Sequence, residues 1–377
     1  MIPAAAAVQR PTDAKLLVVD ASGHITHRDR VDFPALIEAG DLVIANDAAT
    51  LPASLFGVHV PTGRVIEVRL AGTRSLLARE HARFTAVAFG EGDFRTPTEH
   101  RPAPPAFDAG DVLQLGPLRA MVVNVLGHPR LIEIEFQHSI AETWEGLARH
   151  GRPIQYAYLQ EPLAIWDTWT PIAAAPVAFE APSAGFILDW RVIAAIRARG
   201  AAFATITHAA GISSTGDADV DALLPLDEPY FIPESTASRI ATTRRRSGRI
   251  IAVGTTVVRA LEDAAARHGH VRGGTGVATL RVSRLTPLRV VDALVTGQHE
   301  PDTSHYELLR AFLNDVVLER VTDEANARHY RTHEFGDSLF IAVRRAGPAK
   351  AGHYVCGPAK AGRYVCGDSG NSPDGQR

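Results

Sequence analysis

The stretch Ile250-Ile251-Ala252-Val253-Gly254-Thr255-Thr256-Val257-Val258-Arg259-Ala260-Leu261-Glu262 decides the fold class of this chain. Its first four residues are apolar and predict a buried strand, and Gly254 predicts a tight turn. The residues from Thr256 to His268 then predict a helix. Because a buried strand that turns directly into a helix is typical of α/β proteins, we expect an α/β body around this segment.

The same turn is a candidate binding site. Backbone N–H groups at a helix N-terminus and the hydroxyls of Thr255 and Thr256 converge beside Gly254, which suits a carboxylate, a ribose or a phosphate. Arg259 lies three and four residues beyond the threonines and shares their helical face. A carboxylate-bearing ligand would suit this set. The alternative is an ordinary capped helix with an exposed arginine.

The segments on both sides of this turn alternate between strand and helix patterns, which favours an α/β (α+β) main domain. The predicted strands lie at 16–19, 41–47, 202–207, 249–253, 277–282, 288–295 and 338–343, and the predicted helices at 188–199, 235–246, 256–268 and 303–318.

Between Gly63 and Phe136 the hydrophobic period changes to two, as in VIEVRL at 65–70 and LIEIEF at 131–136. This pattern predicts an all-β, barrel-like domain inserted at 58–151, so that 1–57 and 152–345 form a discontinuous α/β main domain. Residues 347–356 and 357–366 repeat one ten-residue sequence almost without change. We interpret 346–377 as a disordered tail with a tandem repeat.

Composition excludes several classes of protein. The chain has 377 residues with 39 basic and 42 acidic side chains, so its net charge of −3 does not recruit nucleic acid as a whole. Both cysteines, Cys356 and Cys366, lie near the C-terminus, which excludes a disulfide framework or thiolate metal site in the body. No apolar run resembles a signal peptide or a bilayer span, which predicts a soluble, cytoplasmic protein without a membrane partner.

A local basic patch remains the candidate for RNA contact. Arg244, Arg245, Arg246 and Arg249 form a run without acidic residues on and after one predicted helix. A solvated arginine face is the alternative interpretation.

Three other segments carry candidate site residues. APSAG at 181–185 supplies Ser183 and a glycine, Gly185, that permits close approach by a ligand. His208 ends a predicted strand before a loop of small residues, which suits either a general base or a hydrogen-bonded strand-edge histidine. Glu228 and Tyr230 alternate with Pro229 and face one way on an extended segment, or lie in a solvated loop.

The segment 296–305 combines two histidines, His299 and His305, with acidic and hydroxyl side chains that include Ser304. Metal binding is one interpretation of this mixture. We predict no metal, because HxxxH and HExxH pairings on a helix are absent.

Taken in order, five segments of the chain resemble the S-adenosylmethionine:tRNA ribosyltransferase-isomerase family of the queuosine pathway. These are GDLVIANDAATLPASLFG at 40–57, APSAG at 181–185, IAVGTTVVRALE at 251–262, VVDALVTGQHEPDTS at 290–304 and HYRTHEFGDSLFI at 329–341. The resemblance implies transfer and isomerisation of the ribosyl moiety of S-adenosylmethionine onto a 7-aminomethyl-7-deazaguanine base in tRNA. Epoxyqueuosine forms, and adenine and methionine are released.

This resemblance implies roles for the candidate residues. His208 or His299 is the base or acid and Glu228 their acidic partner, while Gly254, Thr255, Thr256 and Arg259 anchor the donor. Asn46 and Asp47 at the end of a strand meet the ribose or acceptor, and the other expected substrate contacts are Ser183, Gly185, Tyr230, Ser304 and Asp337. S-adenosylmethionine is the co-substrate, with no further cofactor.

The chain departs from the family at Gly297-Gln298 before His299, at WDTWTPIAA in 166–174 and at Leu226. These positions lie where the acceptor would bind. Two alternatives therefore stand beside the tRNA-modifying enzyme. One is a paralogue that uses the same chemistry on a small or different acceptor, and the other is a non-catalytic binding module that has kept the fold.

Overall fold

A nine-stranded mixed sheet forms the centre of the main body. The computed structural model describes residues 1–77, 80, 82–301 and 303–342. The sheet contains β2 (Lys15–Val19), β3 (Ile25–Asp29), β4 (Leu42–Asn46), β13 (Ala202–His208), β14 (Glu228–Ile232), β15 (Ile250–Val253), β16 (Gly274–Ala278), β17 (Ala293–Gly297) and β19 (Ser338–Ala342). Four short strands, β1 (Ile2–Pro3), β18 (Arg331–Thr332), β5 (Ala49–Thr50) and β12 (Pro176–Ala178), form two separate parallel pairs.

The strand order is β16-β14-β13-β4-β15-β17-β19-β2-β3. Strands β13, β4, β15 and β17 are mutually parallel, so their carboxyl ends meet at one edge of the sheet. Strand β14 is antiparallel to β13 and therefore begins at that same edge. Loops that follow or precede these strands converge there, as expected for the ligand-binding edge of a parallel sheet.

Helices pack on both faces of the sheet and on the all-β segment. They are α1 (Ile140–His150), α2 (Trp190–Ala198), α3 (Ala218–Asp221), α4 (Glu234–Arg245), α5 (Thr255–His268), α6 (Ser304–Leu309) and α7 (Asp315–Ala327). Leu42 and Ile44 pack in the same core as residues of α4 and α5, whereas Val43 and Ala45 pack on the opposite face with Ile196 of α2. Burial on both faces explains why the central strands are almost continuously apolar.

The all-β segment forms a closed six-stranded antiparallel barrel, in the order β10-β11-β8-β7-β6-β9. Its strands are β6 (Ser54–His59), β7 (Arg64–Gly72), β8 (Arg83–Phe89), β9 (Val112–Leu115), β10 (Leu118–His128) and β11 (Leu131–Phe136). The barrel thus begins at Ser54, before the predicted boundary at 58. Ser139 and Glu142 form the capping box that opens α1, the helix after the barrel.

Three predicted elements were wrong in extent, and side chains explain two of them. Strand β16 ends at Ala278 because the next two backbone N–H groups donate to Asp263 Oδ1, each at 3.1 Å. Strand β17 begins only at Ala293, since the N–H groups of residues 289–291 donate to the Glu262 carboxylate. These donors are satisfied without a neighbouring strand.

The third element of wrong extent is the helix predicted over 303–318, where the structure has two helices. Helix α6 ends at Leu309, and Asn314 starts α7 by accepting a hydrogen bond from Val317 N at 3.0 Å. The tail predicted at 346–377 lies outside the described residues.

Candidate functional site

A cavity of about 470 Å³ opens at the carboxyl edge of the parallel strands. Its walls come from the residues after β13, β15 and β17, from the start of β14, and from two loops at 180–184 and 332–334. Eight of the predicted site residues line it: Ser183, Glu228, Gly254, Thr255, Thr256, Arg259, His299 and Ser304. The fold therefore brings into one cavity segments that are widely separated in the chain.

The turn between β15 and α5 forms one wall. Gly254 has φ of +103°, a conformation that non-glycine residues rarely adopt. Among the residues that the structure describes, no side chain caps the N-terminus of the 14-residue helix α5. The first backbone N–H groups of α5 are thus available to an anion in the cavity, where the helix dipole also favours negative charge.

Beside this turn, a buried cluster joins Arg259, Glu228 and His208. The Arg259 guanidinium donates from Nη1 to Glu228 Oε2, and His208 Nε2 lies 3.0 Å from the same oxygen. Glu228 Oε1 accepts from Gly211 N at 2.6 Å. Burial opposes the charge of Glu228, but the hydrogen bond with His208 and the electrostatic attraction of His208 and Arg259 outweigh it and lower the pKa of this carboxyl.

The prediction that Arg259 offers a free cation to a ligand, and its alternative of an exposed arginine, both need correction. Arg259 is only 5% exposed. Its Nε donates to Leu280 O at 3.0 Å, and its Nη2 donates to Leu226 O at 2.7 Å and Ala278 O at 3.0 Å. Because Nε, Nη1 and Nη2 all donate to protein acceptors, the guanidinium holds Glu228 and the nearby loops in place.

The ring of His208 also contacts protein groups through both of its nitrogens. Its Nδ1 lies 2.9 Å from the carbonyl oxygen of Thr256, and its Nε2 faces Glu228. Asn46 holds the backbone of His208 from both sides, accepting from its N–H and donating to its carbonyl oxygen at 2.9 Å each. Asn46 also lies 3.5 Å from Thr256 Oγ1, so it supports the cavity wall without lining it.

Of the two histidines predicted as base or acid, His299 lines the cavity and His208 does not. Its Nε2 is 2.7 Å from Thr296 Oγ1, and its ring stacks on His305 with a centroid distance of 4.8 Å. Burial, with the nearby His305 and His333, holds the pKa of His299 well below its usual range. The ring is therefore neutral near pH 7 and has a lone pair to accept a proton.

Sequence reasoning missed an acidic side of the cavity and the tyrosines that bind its carboxylates. Glu180 and Glu334 line it, and the hydroxyls of Tyr156 and Tyr158 donate to these two carboxylates. Burial and the neighbouring Glu334 raise the pKa of Glu180 to about 7. Glu334 lies in the family-like segment at 329–341, but Tyr156, Tyr158 and Glu180 share no motif with it, so their spacing contained no signal.

Besides Asn46, four predicted substrate contacts lie outside the cavity lining. Asp47 accepts from Thr207 Oγ1 at 2.7 Å, and Gly185 packs so closely on Thr170 that a Cβ would lie 2.9 Å from its methyl group. Asp337 accepts from the backbone of Lys15 and Arg331 at 2.8 Å each, and the Tyr230 hydroxyl lies 3.3 Å from Asp263. In this structure each of the four has a structural contact.

The predicted RNA patch also needs correction. Arg244 binds the Asp292 carboxylate at 2.9 Å, and Arg249 binds Asp41 at 2.6 Å, so both belong to ion pairs with buried aspartates. They stand at the amino ends of the parallel strands, opposite the cavity. Arg245 and Arg246 are exposed and remain candidates for RNA contact.

One group of potential metal ligands lies away from the cavity lining. The ligand atoms of His128, Asp217 and Asp219 lie within 4.8 Å of one another, next to Arg130, which binds Asp217 at 3.2 Å. Within the described ranges, no helix has the length and apolar character needed to cross a membrane.

Comparison with known proteins identifies the family. The family model for queuosine biosynthesis protein matches residues 2–341. An S-adenosylmethionine:tRNA ribosyltransferase-isomerase of Azoarcus sp. (strain BH72) is 33% identical over 338 residues, 87% of this chain and 90% of the relative. Another of Gloeobacter violaceus is 32% identical over 354 residues, 90% of this chain and 93% of the relative.

A crystal structure of an S-adenosylmethionine tRNA ribosyltransferase from Thermotoga maritima aligns at 23% identity and a TM-score of 0.49, covering 90% of this chain and 96% of that chain. The family match over residues 2–341 and the identity to the relatives named above do not depend on that alignment. They show that this chain belongs to the queuosine biosynthesis protein family.

Proposed function

We propose that this chain transfers and isomerises the ribosyl moiety of S-adenosylmethionine onto a 7-aminomethyl-7-deazaguanine base in tRNA. The product is epoxyqueuosine, and adenine and methionine are released. The observation that carries this proposal is the similarity, over about nine-tenths of each chain, to relatives named S-adenosylmethionine:tRNA ribosyltransferase-isomerase. A tRNA substrate also favours a cytoplasmic location.

The cavity supplies groups that suit this donor. The uncapped N-terminus of α5 presents N–H groups to the methionine carboxylate, with the hydroxyls of Thr255 and Thr256 beside it. Ser183 and Ser304 line the cavity and offer further hydroxyls to a ribose or an adenine. Arg259 fixes Glu228, and Asn46, which does not line the cavity, fixes the backbone of His208.

The sulfonium makes the neighbouring C5′ protons acidic, so one positioned base is enough to start the reaction. We assign this role to His299 because it lines the cavity and is neutral near pH 7. His208 is a weaker candidate, since both of its ring nitrogens face protein acceptors. Glu228 holds His208 and the loop at Gly211, and its lowered pKa keeps it ionised.

The sulfonium supplies the electrophilic activation in this reaction, so we propose that no metal is needed. The group at His128, Asp217 and Asp219 does not line the cavity. Dialysis of the protein against a strong chelator should leave the rate of adenine release unchanged. Restoration of a lost rate by one divalent ion would contradict this part of the proposal.

One assay tests the function. The protein is incubated with S-adenosylmethionine, with and without tRNA that carries the aminomethyl base, and adenine and methionine are measured by chromatography. We expect release that depends on this tRNA. Release with a small acceptor alone would indicate a paralogue of different specificity, and binding without any release would indicate a non-catalytic module.

A further inference from the structure

Two glutamates of the cavity have no part in the chemistry assigned above. Glu180 follows β12 and Glu334 follows β18, and both side chains line the cavity. The Tyr156 hydroxyl donates to Glu180 Oε1, Ser213 N donates to Glu180 Oε2 at 3.1 Å, and the Tyr158 hydroxyl donates to Glu334. All of these donors are neutral groups.

Neither carboxylate has a cationic partner within 4.0 Å among the residues that the structure describes. This differs from most buried acids, which are paired with a cation when they are kept charged. The surrounding titratable groups are Tyr156, Tyr158 and His333, and Arg69 lies behind the Tyr156 ring at 5.7 Å from its centroid. A cavity wall with two such acids attracts a ligand cation.

A stack of flat rings adjoins this wall, and of its three rings His333 lines the cavity. The Tyr156 and Tyr158 rings are stacked at 5.9 Å between centroids, and Tyr158 stacks on His333 at 4.0 Å. His333 ends this stack and lines the cavity. It has φ of +67°, a strained conformation for a residue with a side chain, and such strain is concentrated at functional sites.

We propose that Glu180 and Glu334 bind the protonated aminomethyl group of the acceptor base, that the base stacks beside His333, and that Glu180 removes one proton from the ammonium. This rests on the proposed function. The proton moves from the ammonium nitrogen to a Glu180 carboxylate oxygen, and no other bond changes in this step. The nitrogen regains the lone pair that it needs as a nucleophile.

The other cation in the reaction system, the α-ammonium of S-adenosylmethionine, fits this wall less well. The flat His333 ring at the end of the stack suits a planar base that carries its charge on a short side chain. The donor carboxylate has its own partner in the N-terminus of α5, on the wall made by Gly254 to Thr256. The electrostatics agree, since burial and Glu334 raise the pKa of Glu180 to about 7, where a carboxylate can take a proton and release it.

The test compares two tRNAs, one with the 7-aminomethyl base and one with an uncharged 7-hydroxymethyl base. Dissociation constants are measured for wild type, Glu180→Gln, Glu334→Gln and the control Glu145→Gln, whose side chain is exposed on α1 and paired with Arg149. We expect wild type and control to prefer the aminomethyl tRNA roughly tenfold or more. Both cavity variants should lose most of this preference and keep the S-adenosylmethionine dissociation constant.

A pH profile separates proton transfer from a merely structural role. In wild type, kcat/KM for the acceptor should fall as the pH falls through about 7, because Glu180 becomes protonated. Glu334→Gln removes one cause of the raised pKa, so its inflection should move to lower pH. An unmoved inflection would contradict the assigned proton transfer.

If both cavity variants kept their preference for the aminomethyl tRNA, this proposal would be overturned. Adenine release by the wild type would still support the proposed function in that case. If the cavity variants instead lost affinity for S-adenosylmethionine, the two acids would belong to the donor site, and the proposal would also be overturned. Absence of adenine release by wild type would reject the proposed function itself, and this inference with it. Melting curves of all variants show whether each one is folded.

Discussion

Glu228 and Glu180 line the same cavity but lie in opposite electrostatic surroundings. Glu228 contacts the Arg259 guanidinium, His208 and the N–H of Gly211, and these contacts lower its pKa. Glu180 contacts a tyrosine hydroxyl and one backbone N–H, and it lies near a second acid that helps to raise its pKa.

The difference indicates what each acid does. A buried carboxylate that has its cation inside the protein stabilises the local structure and offers little further attraction to a ligand. A carboxylate that lacks such a partner weakens the folded protein at neutral pH and gains from a cationic ligand. The most prominent motif of the sequence contains Arg259, the partner of Glu228. Glu180, which has no cationic partner within 4.0 Å in the described part of the chain, precedes the segment APSAG and belongs to none of the quoted segments.

The largest expected effect comes from breaking the Arg259–Glu228 pair. Arg259→Met should lower the free energy of unfolding by about 3–5 kcal/mol, because it leaves a buried charge without its partner. Urea unfolding at pH 7 measures this change. The double variant Arg259→Met/Glu228→Gln should recover part of the loss, since it removes the stranded charge as well.

If Arg259→Met kept its stability but bound S-adenosylmethionine more weakly, Arg259 would be a direct donor anchor. The contrast between a paired Glu228 and an unpaired Glu180 would then not hold. Calorimetric titration with S-adenosylmethionine distinguishes the two outcomes.

Glu180→Gln should have the opposite effect on stability and raise the free energy of unfolding. The pKa of Glu180 is about 7 in the folded chain against an ordinary value of 4.5, so the folded state holds the proton more tightly and stability falls as pH rises between these values. Glutamine removes this loss and should raise the unfolding free energy at pH 8 by on the order of 1–3 kcal/mol, with little change at pH 4.

Melting temperatures of wild type and Glu180→Gln across pH 4 to 8 test this prediction. Glu228 supplies the internal contrast, because its lowered pKa contributes stability that is present above the unfolded value and lost as pH falls through the folded one. A destabilised Glu180→Gln at pH 8 would show that Glu180 has a stabilising partner and is not available to a ligand cation.

The smallest expected effect concerns the arginines of the predicted RNA patch, of which some are exposed and others are paired with aspartates. Arg245→Gln/Arg246→Gln should weaken tRNA binding modestly, with an unchanged melting temperature. The slope of log affinity against log salt concentration should become shallower by roughly 0.9 for each phosphate that these arginines neutralise in wild type. Arg244→Gln should instead lower the melting temperature, because Asp292 is left without its ion-pair arginine.

Filter binding over a salt series, with melting curves of the same samples, separates the exposed arginines from the paired one. An unchanged salt slope in the Arg245/Arg246 variant would remove this patch from the tRNA interface.

Local patterns predicted most of the elements correctly. The apolar run before Gly254 forms β15 and the following residues form α5, and the period-two segment forms the barrel. The prediction was wrong where one side chain takes over several backbone donors, as Glu262 does with residues 289–291. A window of sequence contains no information about such a distant acceptor.

The sequence by itself determined the fold class, the family and the segments that surround the cavity, because these follow from hydrophobic period, turn residues and motif order. Only the tertiary structure decided which charges are satisfied inside the protein. The sequence pattern leaves Arg259 free for a ligand, whereas the structure places Glu228 and three carbonyl oxygens around it. Glu180 and Glu334 are 154 residues apart and come together only through folding. Coulomb energy and desolvation depend on which groups are close in space. For residues this far apart in the chain, their separation in sequence does not predict their separation in space.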